Sequence, residues 1–103
     1  MKSIEVLELK DKLINNKLDL LDVREQHELD FASINNSVNI PMMEVPNRLS
    51  ELNKEKTYAV ICHSGIRSAQ VCGFLERKGF MVYNVSGGID RWSQDVDEKV
   101  KRY

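Results

Sequence analysis

Six consecutive residues, Cys62-His63-Ser64-Gly65-Ile66-Arg67, place a thiol, an imidazole, a hydroxyl and a guanidinium around one glycine. The chemistry open to such a run is nucleophilic. A cysteine close to unpaired backbone N–H groups and a cation has its pKa lowered, in known cases to about 3.5–7.5, so the thiolate predominates over the thiol. Gly65 lets the backbone curl without a Cβ clash, so that successive N–H groups can point inward as a nest for an anion. Arg67 supplies a planar positive fork suited to an oxyanion such as a sulfonate or phosphate group. Attack by Cys62 on an anionic group, leaving a covalent intermediate on sulfur, is the expected step. His63 could give a proton to a leaving group or belong to the rim that binds the anion, but a site that already holds a thiolate needs no general base. The competing reading is an inert core cysteine, a common fate of free thiols.

The elements around the run argue for the reactive reading. Thr57-Tyr58-Ala59-Val60-Ile61 is a β-branched, aromatic and apolar stretch that reads as a buried strand. From Ser68 the pattern turns helical, with Ala69, Val71, Cys72 and Leu75 in step and Gly79 as the stop. Cys62 therefore sits where a strand ends and a short loop leads to a helix N-terminus, a position that favours negative charge. Cys72 shares a face with Ser68, Val71 and Leu75 and reads as a core residue.

Along the rest of the chain, Ser3-Ile4-Glu5 is a short edge-strand candidate, and Val6, Leu9, Leu13 and Ile14 form a helical stripe. Leu18 to Val23 reads as a second buried strand. Its end carries Asp22 and Arg24, where open α/β sheets put functional groups. As supporting residues these two would help shape the site; as ordinary ones, Asp22 caps a turn and Arg24 pairs with Glu25 or Glu28 on the surface. Glu25 to Phe31 suggests a short helix bearing a surface His27, and Ser37 to Ile40 a strand closed by Pro41. Met42 to Leu52 reads as a helix with Pro46 near its first turn and Val45, Leu49 and Leu52 as its apolar stripe, Met42 and Met43 being core filler. Phe80 to Val85 is a last strand, Ser86-Gly87-Gly88 a turn, and Ile89 and Trp92 open a final helix that Trp92 anchors. Asp95 to Tyr103 is a mixed-charge tail that reads as a solvated face. Strands alternating with helices imply a parallel sheet with helices on both faces and right-handed crossovers.

In four places the sequence resembles the single-domain rhodanese (thiosulfate sulfurtransferase) family. The family's loop of Cys, four residues and Arg is similar to Cys62–Arg67, followed by Ser68-Ala69; Asp-Val-Arg is met by Asp22-Val23-Arg24 with Glu28 at the usual interval; Asn-Ile-Pro by Asn39-Ile40-Pro41; and Gly-Gly-hydrophobic before Trp by Gly87-Gly88-Ile89 and Trp92. The resemblance covers nearly the whole chain and implies a five-stranded parallel sheet of rhodanese type. It also implies a ping-pong cycle in which Cys62 accepts a sulfane sulfur as a persulfide and passes it to a thiol or cyanide. Arg67 and the loop from His63 through Ser64, Gly65 and Ile66 to Ser68 would hold the substrate and persulfide. One departure is local: Ala32-Ser33-Ile34 and Asn36-Ser37 stand where the family commonly has Gly-His-Ile and Gly-Ala. Cysteine phosphatases of related folds place five residues between Cys and Arg, where this chain has His63, Ser64, Gly65 and Ile66. That difference favours sulfur transfer over the two alternatives of phosphatase and arsenate reductase. A non-catalytic binding module, the remaining alternative, has no need of an intact Cys62 and Arg67.

Size and charge bound the partners. The 103 residues suit one domain spanning 1–103, with roughly 60–70% of the unfolded surface buried. A net charge of −1 gives no electrostatic case for nucleic acid or a membrane surface. No run approaches the ~18 apolar residues of a membrane span, and Met1-Lys2-Ser3 opens onto a mixed polar segment unlike a signal peptide, so a cytoplasmic location is expected. There the two cysteines are expected to stay reduced. No metal-ligand spacing is found, so no metal and no organic cofactor are expected. The expected partners are a small-molecule sulfur donor or a persulfide-carrying protein, and a thiol acceptor.

Overall fold

The strand that leads into Cys62 lies at the centre of the sheet. In a computed structural model, which describes residues 1–103, the chain runs β1 (Lys2–Ile4), α1 (Val6–Ile14), β2 (Asp19–Asp22), α2 (Gln26–Phe31), β3 (Val38–Asn39), two short 3-10 turns (Met42–Asn47 and Leu49–Glu51), β4 (Thr57–Ile61), α3 (Ile66–Arg77), β5 (Met81–Val85) and α4 (Gly88–Asp95). The sheet is five-stranded in the order β1-β5-β4-β2-β3, and every pairing is parallel.

Period-two alternation along β4 builds a core on each face. Tyr58 and Val60 join Val71, Cys72 and Leu75 of α3 with Val45 and Leu52 of the 3-10 segment. Ala59 and Ile61 turn the other way, to Leu9 of α1 and to Ile89 and Trp92 of α4. Cys62 continues the alternation onto the α3 side. The strand order fixes where a site can form. From β4 the chain proceeds to β5 on one side, and from β2 to β3 on the other, so the carboxyl ends of β2 and β4 flank a topological switch point, the crevice in which such sheets bind ligands.

The segment from Met42 to Leu52 departs from the expected helix. It forms two 3-10 turns, closed by bonds of the shorter span such as Arg48 N to Val45 O and Leu52 N to Leu49 O. Pro46 is the reason: it lies past the first turn counted from Met42, where it has no N–H for an i−4 bond and its ring crowds the carbonyl of Met42. Val45 and Leu52 are still buried, with Leu49 packed against them. Met42 packs on the core, whereas Met43 is exposed and fills nothing. Ile14 likewise leaves its expected stripe for solvent. Trp92 is buried, in the anchoring role expected of it.

Candidate active site

Gly65 closes the loop around the sulfur. It caps α3 with φ +107°, a conformation that only glycine adopts without strain, and its N–H points back at Cys62 Sγ, 3.1 Å away. The helix begins at Ile66, two residues before the expected start, so that Ser68 lies in its first turn and donates its own N–H to Sγ at 3.4 Å. Ser68 Oγ is 3.3 Å from the sulfur. Cys62 itself is 1% exposed. Burial pushes this thiol up, but the Ser68 hydroxyl and the N–H groups of Ser68, Gly65 and Ser64 outweigh it and bring the pKa below its ordinary value. Cys72 has no such donors: buried in the core, it is pushed up to about 12. Both cysteines are free.

The far side of the loop is clamped by the turn before α4. Ile89 N donates to Cys62 O at 2.9 Å and Asp90 N to His63 O at 3.1 Å. Gly88 makes this approach possible: at φ +60°, a Cβ there would stand 2.3 Å from His63 O and 2.5 Å from Cys62 O. The Gly-Gly turn of the sequence therefore presents backbone donors to the Cys62 loop.

Ser68 belongs to a relay that sequence reading missed. Its Oγ is 2.5 Å from Asn84 Oδ1, and Asn84 Nδ2 donates to Gly65 O at 3.1 Å. One hydroxyl proton serves two acceptors. When Cys62 carries its own proton, S–H can donate to Ser68 and Ser68 to Asn84; when Cys62 is ionised, the hydroxyl proton stabilises it best by turning to sulfur. The visible signal was an asparagine among the apolar residues of a buried strand, one register step from the end of β4.

Asp22 and Arg24 are brought to the site's border and not onto the sulfur. Arg24 is fully buried, contrary to a surface pairing with Glu25 or Glu28. Its Nε and Nη2 bind the Asp22 carboxylate at 2.8–3.1 Å, Nη2 also reaches Ala32 O at 2.8 Å, and it meets Glu28 through the backbone carbonyl at 3.4 Å. A guanidinium taken out of water needs this full set of acceptors. The pair ties the end of β2 to the end of α2.

Arg67 was expected as an open cation, yet its fork is filled. Nη1 and Nη2 bind the two oxygens of Glu28 at 2.6 and 2.8 Å. The guanidinium holds the Glu28 carboxyl down at about 2, well below its ordinary 4.5. The expected solvated tail is also corrected at its end: Tyr103 stacks on His63 with ring centroids 4.2 Å apart and 20° between planes, because its hydroxyl is held by two groups of the border. Ile66 is exposed on the rim.

Comparison with known proteins decides the family. Residues 5–95 match the Rhodanese-like domain. The chain belongs to the rhodanese-like family. It is 38% identical over 100 residues to the Bacillus subtilis protein named "Putative sulfurtransferase YtwF", covering 96% of this chain and 97% of that one. It is 36% identical over 76 residues to an Allochromatium vinosum protein named "Sulfurtransferase", covering 73% of this chain and 71% of that one. Among solved structures, it superimposes on a rhodanese-related protein of Thermoplasma volcanium with a TM-score of 0.88 at 40% identity, over 93% of this chain and 94% of that one. On a rhodanese-like domain protein of Staphylococcus aureus the TM-score is 0.87 at 38% identity, over 100% and 99% of the two chains. The five-stranded parallel sheet is the rhodanese fold, as the resemblance implied. No helix of the chain is long and apolar enough to cross a membrane.

Proposed function

We propose that this rhodanese-like chain is a sulfurtransferase that carries sulfane sulfur as a Cys62 persulfide. The observation that carries the reading is the donor set on Cys62 Sγ: two backbone N–H groups and a hydroxyl converge on a sulfur that has no basic side chain against it. Such a cradle stabilises a thiolate and needs no general base. In the first half-reaction the Cys62 thiolate attacks the outer sulfur of a persulfide or of thiosulfate. The new S–S bond forms as the donor's S–S bond breaks, and the donor leaves as a thiolate or sulfite with the electron pair. In the second, a thiolate or cyanide attacks the outer sulfur and Cys62 leaves as the thiolate it began as. No net oxidant or reductant is consumed. The names of the relatives support sulfur transfer in general; a persulfide or thiosulfate as donor, a thiol or cyanide as acceptor, no metal or organic cofactor, and the domain bounds 1–103 are part of the proposal. The four-residue spacing to Arg67 supports a cradle sized for one terminal sulfur over one sized for a tetrahedral phosphate.

The test is thiocyanate formation from thiosulfate and cyanide. Cys62→Ser is expected to abolish it and Cys72→Ser to leave most of it, since Cys72 is buried in the core with its thiol pushed up rather than held as a thiolate. A folded Cys72→Ser protein as inactive as Cys62→Ser would overturn the assignment.

A further inference from the structure

The rim above Cys62 is closed by contacts that sulfur transfer itself does not require. Besides the two Arg67 nitrogens, the Glu28 carboxylate accepts Glu25 N at 3.1 Å and the Tyr103 hydroxyl at 2.8 Å. The same hydroxyl accepts from Arg24 Nη1 at 2.9 Å, so it is polarised by a buried cation on one side and donates to a carboxylate on the other. Its ring lies on His63 and meets the edge of Phe31 at 5.7 Å. One residue of the segment after α4 thus touches the nucleophile loop, α2 and the buried Arg24 together. No surface cavity of the molecule is lined by any residue from Cys62 to Ser68. The Arg67 guanidinium, the loop's own cation, is paired with Glu28 at the rim, in a setting that is braced.

We propose that Tyr103 is a specificity-determining residue: by resting on His63 and bridging Arg24 to Glu28, it keeps Glu28 locked on Arg67, so that the entrance to Cys62 is charge-neutral and disfavours small polyanionic donors. The donors favoured are persulfides that bring no further negative charge, over sulfonate-bearing donors of the thiosulfate kind. This rests on the reading of Cys62 as the sulfur carrier.

Alkylation of Cys62 tests the proposal without using sulfur transfer. In a Cys72→Ser background at low ionic strength, where rim charges are least screened, the rate of mass gain is measured with neutral iodoacetamide and with anionic iodoacetate. Tyr103→Phe, which keeps the ring but removes both hydroxyl bonds, and Tyr103→Ala are expected to raise the iodoacetate-to-iodoacetamide rate ratio roughly three- to tenfold, a fraction of what a charged hydrogen bond carries. Glu28→Gln, which removes the masking charge outright, should raise it further. A ratio that stays the same or falls in Tyr103→Phe overturns the proposal, and so does an equal acceleration of both reagents, which would make Tyr103 a lid without charge selectivity. Persulfide loading of the unchanged protein, followed separately by mass, reports on the Cys62 reading, so the two fail independently.

Discussion

Ser68→Ala should raise the pKa of Cys62 by about one unit. The hydroxyl sits 3.3 Å from Sγ in a buried pocket, and a hydrogen bond to a charged group is worth about 1.5–3 kcal/mol, or roughly 1–2 pKa units at 1.36 kcal/mol per unit. The lower end applies for two reasons. The N–H groups of Gly65 and Ser68 remain in place after the change, and the thiolate must compete with Asn84 Oδ1 for the one hydroxyl proton. The sign follows from the donor's role: removing a group that favours the charged form moves the titration to higher pH, so the thiolate fraction below the midpoint falls about tenfold. The assay is the pH dependence of thiolate ultraviolet absorbance, or of iodoacetamide alkylation, in a Cys72→Ser background. A second consequence is a loss of stability on the order of 1–2 kcal/mol, because Asn84 Oδ1 loses its buried donor. An unchanged Cys62 titration in a folded Ser68→Ala protein would refute the reasoning and assign the depressed pKa to the backbone donors alone.

Two further outcomes are expected. Arg67→Ala should lower kcat/KM for thiosulfate roughly ten- to a hundredfold, because it removes a cation from the rim and strips Glu28 of its cationic partner, leaving an unneutralised carboxylate there; unchanged thiosulfate kinetics would make Arg67 structural. Gly88→Ala should cost activity and stability together, by roughly 1–3 kcal/mol for backbone strain alone, since the new Cβ meets two loop carbonyls at 2.5 Å or less; a variant with unchanged melting temperature and full rate would show that the turn yields without disturbing the loop.

What could be read from the sequence was local. A continuous apolar stretch running into Cys62, and a loop with one glycine before a helical stripe, are patterns of near neighbours, and from them the parallel sheet and the place of Cys62 at a strand end could be read. The Asp22-Val23-Arg24 run was visible as a place but not as a contact, because the burial of Arg24 depends on acceptors from Ala32 and Tyr103 as well as Asp22. Partners brought from across the fold stayed hidden. Glu28 lies 39 positions from Arg67, and Tyr103 75 positions from Glu28; no periodicity links such pairs, and a mixed-charge tail looks the same whether it is solvated or docked. Asn84 carried a weak signal as a polar residue inside a strand, but its meaning depended on β5 lying beside β4. The Met42–Leu52 segment was misread because its apolar spacing suits an α-helix, and only the position of Pro46 relative to the true start excludes one.

The most direct test of a Cys62 persulfide is the intact mass of the reduced protein after incubation with thiosulfate or a small-molecule persulfide and removal of excess donor. One added sulfur atom is expected, located on the peptide that carries Cys62, absent in Cys62→Ser, and lost on addition of cyanide with release of thiocyanate. A mass that stays unchanged with every donor while Cys62 still alkylates rapidly, or an added sulfur located on Cys72, would contradict the account.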